Sequence, residues 1–377
     1  MSEELSALTA LIVGGGVGGM AAALKLREIG VQVDLIDRDA DWRVYGAGIT
    51  ITRPTLRAFR DLGILDDFLE VGFAGDGIQV CDVNGAPVGQ VPDPVLEDPL
   101  PGSGGVMRPE LHRILSQRVL ASGATVRLGL TVSALAQGTN KVSVLFSDGS
   151  GALYDFVIGA DGVFSSIRAL IFPDADKPAY TGQTVWRLHA PRPPEVTRRH
   201  FFLGGPYKVG LCPVSDTHLY MFLLENGPKQ PALPDEQLHL RLHELMQGYG
   251  GVLADLRAGL NPASAIIVRP LEAFLLPAPW YDRRVLLIGD AAHPTTPQLA
   301  SGAGIAVEDA LVLSDELAKA DGEVPAAFAA FMARRWERCR LVVENSIEIG
   351  RREQAGRPPQ EQTMLVEESL AKLAEPI

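Results

Sequence analysis

The stretch Leu11-Ile12-Val13-Gly14-Gly15-Gly16-Val17-Gly18-Gly19, near the start of a 377-residue chain, constrains the fold more than any other. Its apolar run predicts a buried strand, its glycines a tight turn, and the residues after them the opening of a helix. Gly14, Gly16 and Gly19 fit G-x-G-x-x-G. That spacing lets the backbone approach a pyrophosphate and aims a helix N-terminus at its charge. A second apolar run, residues 31–36, ends on Asp37, 18 residues after Gly19, where a ribose-binding carboxylate is expected. A glycine triplet alone is common in ordinary turns. Strand, turn, helix, strand and acid together predict a βαβ unit holding a dinucleotide.

The net charge of −12 argues against nucleic acid or an anionic membrane as the main partner. No apolar run approaches the roughly 18 residues of a membrane span. Residues 1–4 are Met-Ser-Glu-Glu, unlike a secretory signal, so a cytoplasmic setting is expected. Cys81, Cys212 and Cys339 are odd in number and widely spaced, which suggests neither a disulfide framework nor a metal cluster.

The expected fold class is α/β: a Rossmann-like nucleotide domain, an inserted antiparallel or mixed β-sheet substrate domain, and a C-terminal helical segment. Helices are expected over residues 18–29, 55–62, 109–120 and 237–246, and strands over 126–132, 142–146, 184–188, 209–212 and 219–224. The chain then returns to the first fold with Arg284-Val285-Leu286-Leu287-Ile288-Gly289-Asp290, and a long helix follows from Gly302. Residues 1–75, 102–182 and 270–345 are therefore read as one discontinuous nucleotide domain. Residues 76–101 and 183–269 are read as the substrate domain, and 346–377 as a helical tail that packs on the body or frays.

Two further motifs carry chemistry. Asp155-Phe156-Val157-Ile158-Gly159-Ala160-Asp161-Gly162 runs a strand into a tight turn, with Arg168 in the helix that follows. Gly289-Asp290 ends another strand, at the edge of a parallel sheet where ligands bind, and leads to Pro297 and Gly302-Ala303-Gly304. By themselves Asp161 is also a common turn residue and Asp290 also a helix cap; His293 reads as a packed or capping residue.

In this order, with Gly46-Ala47-Gly48-Ile49 and Arg108, the motifs resemble the single-component, class A FAD-dependent aromatic hydroxylases, such as p-hydroxybenzoate, salicylate and 6-hydroxynicotinate hydroxylases. The resemblance implies that Gly14, Gly16 and Gly19 cradle the FAD pyrophosphate. It implies that Asp37 bonds the adenosine ribose with Arg38 beside the adenine, that Arg108 reaches the cofactor, and that Asp161 serves FAD and the nicotinamide. Asp290, after Gly289, would bond the ribityl chain or organise water at the pyrophosphate, and Gly302, Ala303 and Gly304 would face the flavin pyrimidine. It further implies NAD(P)H as co-substrate, with NADPH preferred, and O2 activated as a C4a-hydroperoxyflavin that hydroxylates a small aromatic or heteroaromatic ring. No metal is implied, and monomer and homodimer both fit.

Pro297 and Gln298, with Thr50, Thr52 and Leu211, are the expected substrate-cavity residues. Histidines of 6-hydroxynicotinate enzymes are replaced here by Thr50 and Gln298, so a neutral or weakly polar substrate is expected. Arg187 either serves a substrate carboxylate or faces solvent from its strand. Trp186, Tyr207 and Tyr220 line the cavity or pack elsewhere. Baeyer–Villiger or epoxidising chemistry on the same fold stays open, as does a non-catalytic flavin sensor. A disulfide reductase would need paired cysteines, and a halogenase its tryptophan motif; neither is present.

Overall fold

The computed structural model describes residues 3–44, 46–96 and 99–377; Met1 and Ser2 of the acidic N-terminus lie outside them. The apolar run at the start forms the strand Thr9–Val13, buried along nearly its whole length as a central parallel strand must be. Its sheet has six strands, in the order Tyr281–Asp282, Val285–Leu287, Phe156–Gly159, Thr9–Val13, Gln32–Asp37 and Thr125–Leu128. All pairings are parallel except the edge strand Tyr281–Asp282. Val13 pairs with Gly159, and Gly159 with Leu287. The three motif turns, far apart in sequence, thus leave the sheet side by side at its C-terminal edge. The fold is the Rossmann-like α/β arrangement expected, with a separate sheet inserted and helices at the C-terminus.

The inserted sheet has seven strands, in the order Ala265–Ala273, Ala179–Pro191, His218–Asn226, Lys208–Pro213, Arg199–Phe202, Ile78–Cys81 and Pro87–Val91. Strand alternation sorts its side chains between two faces. Trp186, Leu188, Val209 and Leu211 pack with Leu242, Leu245 and Leu253 from the helices Asp235–Leu245 and Gly251–Ala258. Val185, Arg187, Lys208, Tyr220 and Phe222 face the other way, into a cavity.

Most expected elements form within a few residues of their predicted ends. The strand expected over 126–132 is instead two strands, Thr125–Leu128 and Val132–Gln137, in different sheets. Gly129, at φ +70°, turns the chain between them. The tail forms the helix Pro359–Ala374 and packs on the body. Its last carbonyls accept from Arg57 (Nη1 to Ala374 O, 2.6 Å) and Arg338 (Nη2 to Leu373 O, 2.7 Å), cations well placed for a helix C-terminus.

A buried ionic cluster joins the helices Gly302–Lys319 and Val324–Gln354 to the Gly289 turn. Asp309 accepts from the Gly289 amide (2.9 Å), His293 Nε2 (2.7 Å) and Arg335 Nε (2.8 Å). Arg335 also donates to Glu308 (2.9 Å), which Arg338 meets from the other side. Burial works against every charge here, but His293 and Arg335 still hold the Asp309 carboxyl below its usual range. Burial likewise opposes the His293 cation, yet Cys339 and Asp309 raise its pKa well above 6.5.

Asp309→Ala should leave buried His293 without its acceptor and Arg335 with Glu308 as its remaining ion-pair partner, and cost about 3–5 kcal/mol, read as a lower denaturant midpoint. The wild-type pH profile follows from the signs of the shifts. The His293 contribution is complete below pH 6.5 and fades as pH rises through its raised folded value. The Asp309 contribution is complete above pH 3.8 and fades as pH falls through its lowered one. Thermal scans across pH should show both flanks, and His293→Gln should lose the alkaline one.

Candidate active site

The glycine turn is built by close backbone approach. A Cβ on Gly14 (φ +111°) would lie 2.3 Å from the Ala160 carbonyl oxygen, and one on Gly19 only 1.9 Å from that of Gly14. Neither position tolerates a side chain. Gly16 differs: it is the N-cap of the helix Val17–Glu28, and a Cβ there would meet nothing within 4 Å. Its bare side opens on a cavity of about 400 Å³ between the two sheets. A backbone open to approach at a helix N-terminus is what a pyrophosphate needs. The neighbouring residues therefore fit FAD, and the cation of Arg108 on the same wall adds to that fit.

Asp37 stands at the end of its strand and pins this turn. Its Oδ2 accepts from the Gly15 amide (2.7 Å) and its Oδ1 from the Asp39 amide (2.8 Å). Arg38, next to it, is exposed.

Gly289, Asp290, Gly302 and Ala303 line the cavity together with Gly16 and Arg108. Asp290 is exposed to the cavity, with protein crowded around it. Burial raises its pKa, against the pull of His293 and Arg108. Arg168 locks two turns together, donating to Ala291 O and Val163 O at 2.7 Å each.

Like Gly14, Gly19, Asp37 and Arg38, three further expected residues do not line this cavity. Asp161 is spent as a cap: it accepts from Ser165 Oγ (2.5 Å) and from the amides of Ser166 (2.7 Å) and Ile167 (3.1 Å). Its neighbours Ala160 and Gly162 line the cavity instead. Gly304 is a packing contact, since a Cβ there would lie 2.3 Å from Thr55 Oγ1. Leu211 sits in the core on the far face of the seven-stranded sheet, as its strand parity dictates.

Thr50, Thr52, Pro297 and Gln298 do line the cavity. Thr50 Oγ1 lies 2.5 Å from Tyr220 Oη. Burial raises the Tyr220 pKa, so the phenol keeps its proton, and it pushes the Cys212 thiol up to about 11. Thr52 bonds Thr55 (3.1 Å). Gln298 turns its amide to a polar network, donating to Gln183 Oε1 (2.7 Å) and Glu353 (3.3 Å); Glu353 also pairs with Lys208 (2.6 Å).

Arg187 changes the character of the cavity. It lies between Phe222 and Ile267 in the sheet register and faces inward. Its guanidinium has no hydrogen bond or ion pair among the described residues. Burial, with Arg108 and Arg269 nearby, lowers its pKa to about 10. An uncompensated, half-buried cation facing the cavity departs from the neutral site expected. Sequence reasoning missed Lys208, Val366 and Leu370 on this wall altogether. They converge from different elements and leave no local pattern.

His293, Asp309 and Cys339 are close enough together to suggest metal ligands. The Arg335 guanidinium already fills that role, 2.8 Å from Asp309 and 3.4 Å from Cys339 Sγ.

A strand–glycine–helix cradle facing a cavity under a second sheet defines a nucleotide-cofactor enzyme. The chain matches the FAD binding domain family over residues 7–346 and belongs to it; it is a flavoprotein monooxygenase. It is 30% identical over 353 residues to the Aurachin C monooxygenase/isomerase of Stigmatella aurantiaca, covering 91% of this chain and 89% of that protein. It is 30% identical over 312 residues to the 2-heptyl-3-hydroxy-4(1H)-quinolone synthase of Pseudomonas aeruginosa, covering 81% and 80%. The crystal structure of Klebsiella pneumoniae HpxO with FAD and uric acid matches at a TM-score of 0.82 and 24% identity, covering 97% of this chain and 95% of that one, a likeness of fold.

Gly16→Val places a side chain where a cofactor must approach without disturbing packed neighbours. It should weaken FAD binding by about 1–3 kcal/mol, roughly 10- to 100-fold, with little change in the melting temperature of the apoprotein. Flavin fluorescence titration against circular dichroism melts checks both.

Proposed function

We propose that the protein uses NAD(P)H and O2 to hydroxylate an aromatic or heteroaromatic small molecule carrying an anionic or ionisable oxygen. The observation that carries this reading is the unpaired Arg187 guanidinium, facing the cavity that Gly16 and Asp290 also line. FAD, when bound, supplies the chemistry of accepting reducing equivalents and activating oxygen.

The chain's residues bind and orient. Gly16 and the N-terminus of the helix Val17–Glu28 would hold the pyrophosphate, with Arg108 adding positive charge. The N-terminus of the helix Gly302–Lys319 would place positive potential beside the flavin ring. Asp290 would meet the sugar-alcohol chain. Asp37 acts by fixing the glycine turn, and Asp161 by fixing the turn that carries Gly162. At the opposite wall Arg187 holds an anionic ring oxygen, which keeps the ring electron-rich. Tyr220 stays protonated and shares its proton with Thr50.

The division into a FAD domain (1–75, 102–182, 270–345), a substrate domain (76–101, 183–269) and a tail (346–377) is part of this reading. So are NADPH as the reductant, a cytoplasmic setting where it is supplied, and a monomer or homodimer. The relatives named for quinolone and aurachin oxidation support a ring substrate for this chain too. No helix among the described residues is long and apolar enough to cross a membrane.

The test is NAD(P)H oxidation by the FAD-loaded protein with phenols, ring carboxylates and hydroxylated N-heterocycles, with product masses. A ligand that accelerates oxidation and gains one oxygen atom is expected; no acceleration by any ring compound would sink the reading. Arg187→Met should raise KM for the anionic ligand about 10- to 100-fold, the worth of a charge-assisted hydrogen bond, with a smaller effect on kcat.

A further inference from the structure

We propose that the substrate carries an apolar tail, seated in a second cavity that continues the first beneath the C-terminal helix; the inference rests on the ring-hydroxylase reading above. The second cavity is about 460 Å³, as large as the first. The two share Ile78, Arg199, Phe201, Lys208, Val366 and Leu370 as common walls. A molecule lying across that shared rim has its ring near Arg187 and its far end in the second space.

The chemistry of the walls selects what that far end is. Both cations on the shared rim are already neutralised. Arg199 pairs with buried Asp93 (3.0 Å), whose carboxylate also accepts from the amides of Gly77 (3.0 Å) and Ser103 (2.7 Å). Lys208 pairs with Glu353 (2.6 Å). Each charge is thus balanced, in contrast to that of Arg187, and of these two cations Arg199 keeps one buried N–H, at Nε, without a partner. Beyond the rim the wall is aliphatic: Val80, Val91, Pro92 and Leu203 on the sheet side, Ile349 and Ala371 on the helix side. Glu367 and Thr363 stand on the exposed border. An apolar wall of this size gains most from a hydrocarbon chain, because each methylene withdrawn from water contributes separately.

The helix that roofs the space is fixed rather than loosely attached. Arg57 and Arg338 hold its last carbonyls, and Asn345 bonds Ser369 (2.9 Å) in its third turn. The tail subsite is therefore a built part of the protein, and its length preference is set by the helix position.

The experiment uses the FAD-loaded enzyme and a series of 4-alkylsalicylates, from methyl to octyl, with binding read from the perturbation of flavin absorbance. Each added methylene should lower Kd about three- to fourfold until the space is filled. Ala371→Trp fills the second cavity from an exposed helix position, so the ratio of Kd between methyl and octyl compounds should collapse toward one. Short and long compounds binding alike to the wild type would overturn the tail subsite and leave the ring-hydroxylase reading standing. A length dependence that survives Ala371→Trp would also overturn it, by placing the tail elsewhere. No perturbation by any member, with no stimulated NAD(P)H oxidation by any ring compound, would overturn both.

Discussion

The buried carboxylate of Asp309 is the constraint on which the site depends. It takes one bond from the backbone of the Gly289 turn, one from His293 and one from Arg335. Through it a turn at the edge of the parallel sheet is bolted to two long helices. Gly289, at φ +56°, can then present Asp290 to the cavity. Charges buried this deeply stabilise a fold only when they meet partners, and here each faces an opposite charge, although His293 Nδ1 has no hydrogen-bond partner. The cluster thereby fixes a geometry more than it adds stability, and that geometry sets where a cofactor meets the protein.

Around this anchor the cavity is made by two sheets that face each other with different chemistry. The parallel sheet contributes backbone turns and helix N-termini, which suit an anionic nucleotide. The inserted sheet contributes side chains on one parity, Arg187 and Tyr220 among them, while its other parity is consumed by a core. The cofactor half is therefore governed by main-chain geometry and the substrate half by side-chain identity. Enzymes sharing this fold can keep the first and alter the second, which is how a common cradle serves many ring substrates.

Several residues named from sequence make protein contacts that the sequence did not reveal. Asp37 holds the glycine turn through the Gly15 and Asp39 amides, and Asp161 caps the Ser166–Ile171 helix. Gly304 allows two helices to touch, and Leu211 faces the core. In each case the residue type was legible but its direction was not. A carboxylate after a strand looks the same in sequence whether it meets a ligand or an amide. A strand residue changes face with a one-residue shift of parity.

The sequence by itself determined the cradle, because a glycine turn between strand and helix is specified by neighbours within one stretch. Gly19 is required by the Gly14 carbonyl within the same turn, and Gly14 by its own φ of +111°, although the backbone that crowds Gly14 is that of distant Ala160. It also determined the order of three motif turns, since each follows a buried strand that can pair only in the central sheet. Tertiary structure alone decided that Arg187 stands unpaired in the cavity. It decided too that Lys208 and Arg199 are neutralised by Glu353 and Asp93, and that the last helix roofs a second apolar space. Those outcomes depend on which charge meets which across more than a hundred residues of chain. Pairing of that kind follows from packing, and no local pattern encodes it.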